Sequence, residues 1–292
     1  MHYYNFKGNI IEEIAFADWK AMRLGVVGLG HIGLPIANYF YEVGHEVFSW
    51  TRNERSVPWN NSTDLTFAQD LDFIFIASGA TRPNYGNENL ELLSTSRLIS
   101  KFNLSKETNV VYISSGAVYG ESAVKKRESD NPIPTTTYGK SKLIAERDFF
   151  DSYQEKAICL RVGNIIDGNN PYGIFELLAR GILSREISFF GEPYDCRDYI
   201  GMADFLLSLD RLIKMSAKDK IINIGSGRSL MLSEIAELIT SEIGGKISID
   251  WRSRRSGDLS QSRLDVGIMN KTLEVYPIDP KFLIRDFVKN LS

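Results

Sequence analysis

The sequence predicts an α/β fold: a doubly wound parallel sheet covered by helices on both faces, followed by a smaller α/β lobe. Three observations carry this reading. Short, near-continuous apolar runs such as Phe73-Ile74-Phe75-Ile76-Ala77 have the composition of strands buried on both sides. Helical stretches alternate with these runs. A glycine-rich turn, Gly28-Leu29-Gly30-His31-Ile32-Gly33, joins the first run to the first helix.

The elements follow in order. Leu24 to Val27 reads as a buried strand, and a helix runs from about Leu34 to Val43 until Gly44 stops it. His45 to Trp50 and Phe73 to Ala77 are strands, Asn89 to Ser100 a helix, and Asn109 to Ser114 a strand. A helix headed by Tyr138 runs to about Tyr153, and Ala157 to Val162 returns as a strand. Beyond Asn164 the alternation loosens into a helix at Phe175 to Leu183, a strand at Ile221 to Ile224, a helix at Met231 to Ile243 and a strand at Ile247 to Trp251. The expected division is an N-terminal extension at 1–22, a cofactor-binding domain at 23–163 and a substrate-binding lobe at 164–292, with some later segments returning to the first domain.

Composition excludes several classes. The 292 residues are 43% hydrophobic and 24% charged with a formal net charge of -3, enough for a large core and without the basic excess of a nucleic-acid binder. No apolar run approaches the ~20 residues that cross a bilayer, and Glu12, Glu13 and Asp18 break any signal-peptide pattern, so a cytoplasmic location is expected. Cys159 and Cys196 form no Cys-x-x-Cys pair; no disulfide framework and no metal site are expected, and Cys159 reads as a small core residue.

The chemistry-bearing residues lie at strand ends. Glycines at Gly28, Gly30 and Gly33 let the backbone turn tightly against a pyrophosphate resting on the helix N-terminus, with His31 and Ile32 in the same turn and Ala77 at a neighbouring strand end. The second strand ends in Ser49-Trp50-Thr51-Arg52-Asn53, without the acid that bonds an NAD ribose. Arg52 is placed instead for a 2′-phosphate, which favours NADP(H) over NAD(H) as cofactor. Tyr138 and Lys142 stand at i and i+4 on one helix face, where an ammonium lowers a phenol's pKa from about 10. Ser115, at the end of a β-branched run, would hold the oxygen on which Tyr138 acts as acid or base. An isolated Tyr-x-x-x-Lys is common; its combination with the glycine turn and the serine-bearing strand end is not.

On these motifs the chain, from Arg23 onward, resembles the extended short-chain dehydrogenase/reductase family of nucleotide-sugar epimerases, dehydratases and reductases. The resemblance rests on Ser114-Ser115-Gly116-Ala117-Val118-Tyr119-Gly120 and on Tyr138-Gly139-Lys140-Ser141-Lys142, and implies a Rossmann-type sheet. It makes Ser115, Tyr138 and Lys142 catalytic, with Tyr138 and Lys142 also on the cofactor. Leu160-Arg161-Val162-Gly163-Asn164 is similar to a strand ending in a substrate-lining asparagine. In Arg197-Asp198-Tyr199-Ile200 and Arg255-Ser256-Gly257-Asp258 the resemblance implies that Arg197 and Arg255 take the diphosphate and Asp258 a ribose hydroxyl. The partner implied is a nucleotide-diphosphate sugar, and the assembly implied is a homodimer through the Tyr138 helix, with Leu143, Ile144 and Phe149 as its apolar face.

Departures from the family pattern shape the functional reading. Val27 stands where a first glycine is usual, and the stretch between Arg52 and Phe73 leaves little room for a full third strand and helix. Asp64-Leu65 is the candidate adenine-contacting pair. Gly116-Ala117 replaces the acidic pair of sugar 4,6-dehydratases, which argues against dehydration. The expected activity is an NADPH-dependent reductase of a nucleotide-activated 4-keto-6-deoxy sugar. The alternatives are a nucleotide-sugar 4-epimerase that retains NAD(H), and a non-catalytic dinucleotide-binding protein. Tyr85 and Tyr172 are candidates for stacking on a base or sugar.

Overall fold

The structure, a computed structural model, describes residues 20–52, 55–63, 70–79, 104–167, 174–215, 219–244, 246–255 and 257–291. The expected helix at Asn89 to Ser100, the Asp64-Leu65 pair, Tyr85, Tyr172 and most of the N-terminal extension lie outside the described residues. The first half comprises β1 (Arg23–Val27), α1 (Gly33–Glu42), β2 (Glu46–Trp50), β3 (Asn60–Ser62), β4 (Phe73–Ile76), β5 (Asn109–Ser115), α2 (Thr137–Tyr153) and β6 (Ala157–Val162). The second comprises β7 (Asn164–Ile166), α3 (Ile174–Ser184), β8 (Glu186–Phe190), β9 (Cys196–Gly201), α4 (Met202–Lys214), β10 (Ile221–Ile224), β11 (Ser229–Met231), α5 (Leu232–Ile243), β12 (Ser248–Arg252), β13 (Gln261–Ser262), α6 (Gly267–Thr272) and α7 (Pro280–Leu291).

Seven strands form one sheet in the order β10-β6-β5-β4-β1-β2-β3. Every pairing in it is parallel, so Val27, Ile76, Ser115, Val162 and Ile224 all end at one edge. The chain leaves β1 toward β2 on one side and later fills β4 on the other. That reversal opens a crevice beyond the strand ends, where ligands bind in open α/β sheets. Among its described residues, the stretch between Arg52 and Phe73 supplies the three-residue β3. It is held to β2 where the Ser49 hydroxyl donates to Asn61 at 2.8 Å and the Trp59 indole donates to Ser49 at 3.0 Å.

Helix α2 forms because Thr136 caps it, its hydroxyl accepting from the Gly139 amide at 3.0 Å. Its buried stripe, Gly139, Lys142, Ala145, Glu146 and Phe149, repeats with helical spacing and faces the sheet. Phe149 is fully buried, its ring 5.6 Å from Tyr112 and 5.5 Å from Tyr153. Core packing accounts for part of the apolar face suggested for a dimer: Phe149 belongs to one core cluster, Leu143 is partly buried against another, and Ile144 is exposed. The rotation of 100° per residue that turns Lys142 inward turns Phe149 inward with it.

The second half builds a smaller sheet, β11-β9-β13 with β7 also on β9, and a parallel pair of β12 with β8. Leu178, Ile187, Ile235, Ile239, Ile284 and Val288 form its core, joining α3, α5 and α7. Helices α4, α6 and α7 and strands β7, β8, β9, β11 and β13 are additions to the sequence reading. For α4 the available signal was an apolar stripe of Phe205, Leu209 and Leu212 that is buried here. Cys159 and Cys196 are buried free thiols. Among the described residues, no helix is long and apolar enough to cross a membrane, and no group of three or more His, Cys, Asp or Glu is arranged to hold a metal ion.

Candidate active site

The glycine turn lies where β1 meets β4. Gly28 has φ +88°, and a Cβ there would stand 2.9 Å from Ser78 Cα, so only glycine keeps the two strand ends this close. A Cβ on Gly33 would overlap the Gly28 carbonyl oxygen. Gly30 is different: no heavy atom lies within 4 Å of its Cβ direction, which opens outward. No side chain caps α1 and no acid sits in its first turn, and although Pro35 has no N–H and the Leu34 amide donates to the Gly30 carbonyl at 3.0 Å, the helix dipole favours an anion at this end. These residues fit a dinucleotide pyrophosphate. Ile32 is the α1 N-cap and packs partly on the core, His31 is half-buried beside it, and the Ala77 amide donates to the Val27 carbonyl at 3.0 Å. Arg52 lies just past β2 with its side chain exposed.

Two strands away along the same edge, Ser115, Tyr138 and Lys142 come together. Ser115 ends β5 and its hydroxyl accepts from the Ala117 amide at 3.2 Å. The same side chain acts on the Tyr138 phenol, drawing its pKa down. Lys142 Nζ donates to the Ile113 carbonyl at 2.9 Å, and sits 4.9 Å from the centre of the Tyr112 ring and 5.9 Å from that of Tyr138. Gly79, after β4, leaves space for it: a Cβ there would stand 3.2 Å from Nζ.

The electrostatics correct one expectation. Burial holds the Tyr138 phenol above its ordinary value, with Ser115 pulling the other way. Lys142 does not lower it, because burial lowers the lysine itself to about 8, against raising influences from Cys159 and Glu146. Its ammonium points to the Ile113 carbonyl rather than to the phenol. The pair therefore enters with a protonated phenol, the form that donates a proton, beside a lysine titrating near neutrality.

Of the residues expected on substrate, Asn164, Arg197 and Asp258 are linked around β9, whereas Arg255 lies against β8. Asn164 opens β7 and its amide donates to the Asp198 carbonyl at 3.1 Å. Arg197 Nη2 lies 3.6 Å from Asp258 Oδ2 and donates to the Leu259 carbonyl at 3.1 Å, so the fold brings these two residues, 61 positions apart in the chain, into one ion pair. Arg255 is exposed, with its guanidinium carbon 3.9 Å from the centre of the Phe190 ring. Its neighbour Arg254 is committed elsewhere, in a forked pair with fully buried Asp195 at 2.8 and 2.7 Å.

Sequence reasoning did not find the residues that join these groups. Asp198, 1% exposed, accepts from the Ser226 amide at 2.8 Å, and burial pushes its carboxyl up to about 6. Glu121 follows the Ser115 loop and accepts from the Ser260 amide and hydroxyl at 2.8 and 2.7 Å and from the Gln261 amide at 2.8 Å. It thereby ties the segment carrying Asp258 to the strand end carrying Ser115. Nothing in the local sequence marks Glu121 for this work.

A UDP-glucose 4-epimerase of Halalkalibacterium halodurans is 29% identical over 194 residues, 57% of this chain and 58% of that protein. A dTDP-4-dehydro-6-deoxyglucose reductase of Escherichia coli is 29% identical over 154 residues, 49% of this chain and 48% of that protein. The chain thus spans about half of the length of these curated relatives. Among solved structures, a UDP-glucuronic acid 4-epimerase variant of Bacillus cereus, in complex with a fluorinated UDP-sugar and NAD, superposes with a TM-score of 0.80 at 18% identity, covering 93% of this chain and 100% of that one. The sequence profile of the NAD dependent epimerase/dehydratase family matches residues 25–225. That match takes in the glycine turn, Ser115, Tyr138, Lys142 and Arg197, and this chain belongs to the NAD dependent epimerase/dehydratase family.

Proposed function

We propose that this chain is a nucleotide-sugar 4-epimerase that works with a retained nicotinamide dinucleotide, oxidising C4 of the sugar and reducing it again from the opposite face. The observation that carries the reading is the convergence of Ser115, Tyr138 and Lys142 at the end of β5, on the sheet edge that also bears the glycine turn. The relative named as a UDP-glucose 4-epimerase supports the choice of reaction, and the solved 4-epimerase structure in complex with NAD supports the choice of cofactor. A bound nicotinamide would supply hydride acceptance and donation. Ser115 orients the C4 oxygen, Tyr138 carries the proton exchanged with it, and Lys142 takes the cofactor ribose. Arg197 and Arg255 hold the diphosphate, Asp258 a ribose hydroxyl, and Asn164 lines the sugar.

A second reading, an NADPH-dependent reductase of a 4-keto sugar, has two observations in its favour. Tyr138 is held in its proton-donating form, and Arg52 lies just past β2, where an NAD-type site carries an acid. The reductase relative points the same way. Mass spectrometry of the denatured purified protein separates the two. Stoichiometric NAD(H), with epimerisation of a UDP-sugar needing no added cofactor, supports the epimerase. An empty or NADP(H)-bearing protein that oxidises NADPH with a nucleotide-linked 4-keto sugar supports the reductase. Full activity in Tyr138→Phe refutes both.

A further inference from the structure

Three residues one turn apart on α2 each reach one of the last three residues of β5. Ser115 acts on the Tyr138 phenol, Lys142 donates to the Ile113 carbonyl at 2.9 Å, and Glu146 accepts from the Ser114 hydroxyl at 2.5 Å. Glu146 does more than close this row. Arg161, on β6, donates to it through Nε at 3.1 Å and through Nη2 at 2.7 Å, and the pair is almost fully enclosed, with 4% and 3% of the two side chains exposed. The same guanidinium lies 4.8 Å from the centre of the Tyr119 ring, at the far end of the turn that Ser115 opens.

We propose that Glu146 is a positioning residue for the Ser115–Tyr138–Lys142 centre, its carboxylate clamping α2, the end of β5 and β6 into one register and presenting a negative charge to Lys142. A salt bridge whose only work is stability has weak grounds for being here, since two apolar side chains of similar volume commonly serve a core as well. The clamp has specific consequences. Ser114 and Ser115 are adjacent on a strand and point to opposite faces, so a bond that fixes one fixes the direction of the other. Glu146 also lies one turn from Lys142, the reach at which helix side chains interact. The groups facing Lys142 are Tyr112 on β5, Tyr138 and Glu146 on α2, Cys159 on β6 and the Gly79 backbone after β4. Of these, Cys159 and then Glu146 favour the charged lysine, and Glu146 is the carboxylate, already paired with Arg161.

The proposal rests on the catalytic centre named above, and its test reads catalysis and the lysine separately. Wild type, Glu146→Gln, Glu146→Asp and the double variant Glu146→Leu/Arg161→Met are compared by steady-state kinetics and by the 13Cε shift of Lys142 through a pH titration, assigned with Lys142→Met. In Glu146→Gln, kcat falls on the order of 10- to 100-fold with KM for the UDP-sugar little changed, and Lys142 titrates below its wild-type midpoint. Glu146→Asp retains the charge but not the reach, so kcat falls while the midpoint stays near that of wild type. The double variant avoids a buried unpaired arginine and keeps its fold, yet shows the same low kcat and lowered midpoint. Wild-type kcat and an unshifted Lys142 in the folded double variant would overturn the proposal and leave the pair a purely structural one. If wild type turns over no nucleotide sugar, the functional reading fails, and the Lys142 titration still decides whether Glu146 acts on the lysine.

Discussion

Lys142 Nζ bonds the Ile113 carbonyl at 2.9 Å, so the helix that carries Tyr138 is fastened from inside to the strand that carries Ser115. The same burial that makes this bond lowers the lysine to about 8 from its ordinary 10.5. Below about pH 8 both folded and unfolded chains hold this proton, and the full cost of burying the charge is present. As pH rises from 8 toward 10.5 the folded state loses the proton first, the unfolded state binds more, and stability increases.

A comparison with Lys142→Met isolates that effect. Between pH 7 and 9 the Tm of the wild type should climb relative to the variant, whose difference curve is flat below about 7. Above 9 the raised Cys159 and tyrosine groups lower the Tm of both proteins alike, because the folded state then holds their protons longer, while the difference between the two keeps rising toward 10.5. A constant Tm difference across pH 7 to 9 counts against a lysine lowered by burial.

Gly30 and Gly33 should separate cofactor binding from folding. The space beside Gly30 is open, so Gly30→Ala is expected to shift stability by no more than about 0.5 kcal/mol. It should nevertheless weaken NAD(H) binding by ~10-fold or more, about 1.4 kcal/mol, by placing a methyl where a pyrophosphate approaches. Gly33→Ala meets the Gly28 carbonyl and should lose stability whether or not cofactor is present. Thermal melts with and without NAD(H) read both effects, and unimpaired binding by Gly30→Ala would remove the turn from the cofactor site.

Asp198 offers the opposite linkage. Its carboxyl is pushed up to about 6 from 3.8, so above pH 6 the buried charge costs stability that is recovered as pH falls toward 3.8. Asp198→Asn retains an acceptor for the Ser226 amide without the charge. Denaturant unfolding should find the variant gaining on wild type by on the order of 2–3 kcal/mol between pH 4 and pH 7. An unchanged difference between those two pH values would show that the carboxyl is not raised.

Phe149→Ala tests the assignment of that ring to the core. Its complete burial against Tyr112 and Tyr153 predicts a loss of roughly 3–5 kcal/mol in urea unfolding, independent of protein concentration. A small loss that varies with concentration would instead restore Phe149 to an interface between two copies.

What the sequence by itself determined is local. The glycine turn, the Ser115 strand end and the Tyr138 helix were legible because each is written within a few consecutive residues, in strand or helix periodicity and in glycines with no steric substitute. Tertiary structure decided what those pieces face. Strand order placed Gly28 beside Ser78 and Ser115 beside Val162, and the returning chain set Asp258 against Arg197 and Ser260 against Glu121. Partners so far apart in the chain leave no spacing to read. The ionisation of Tyr138 and Lys142 belongs to the same category: the i to i+4 spacing predicted a lowered phenol, and burial reversed it, because the cost of removing a charge from water depends on enclosure by the whole fold.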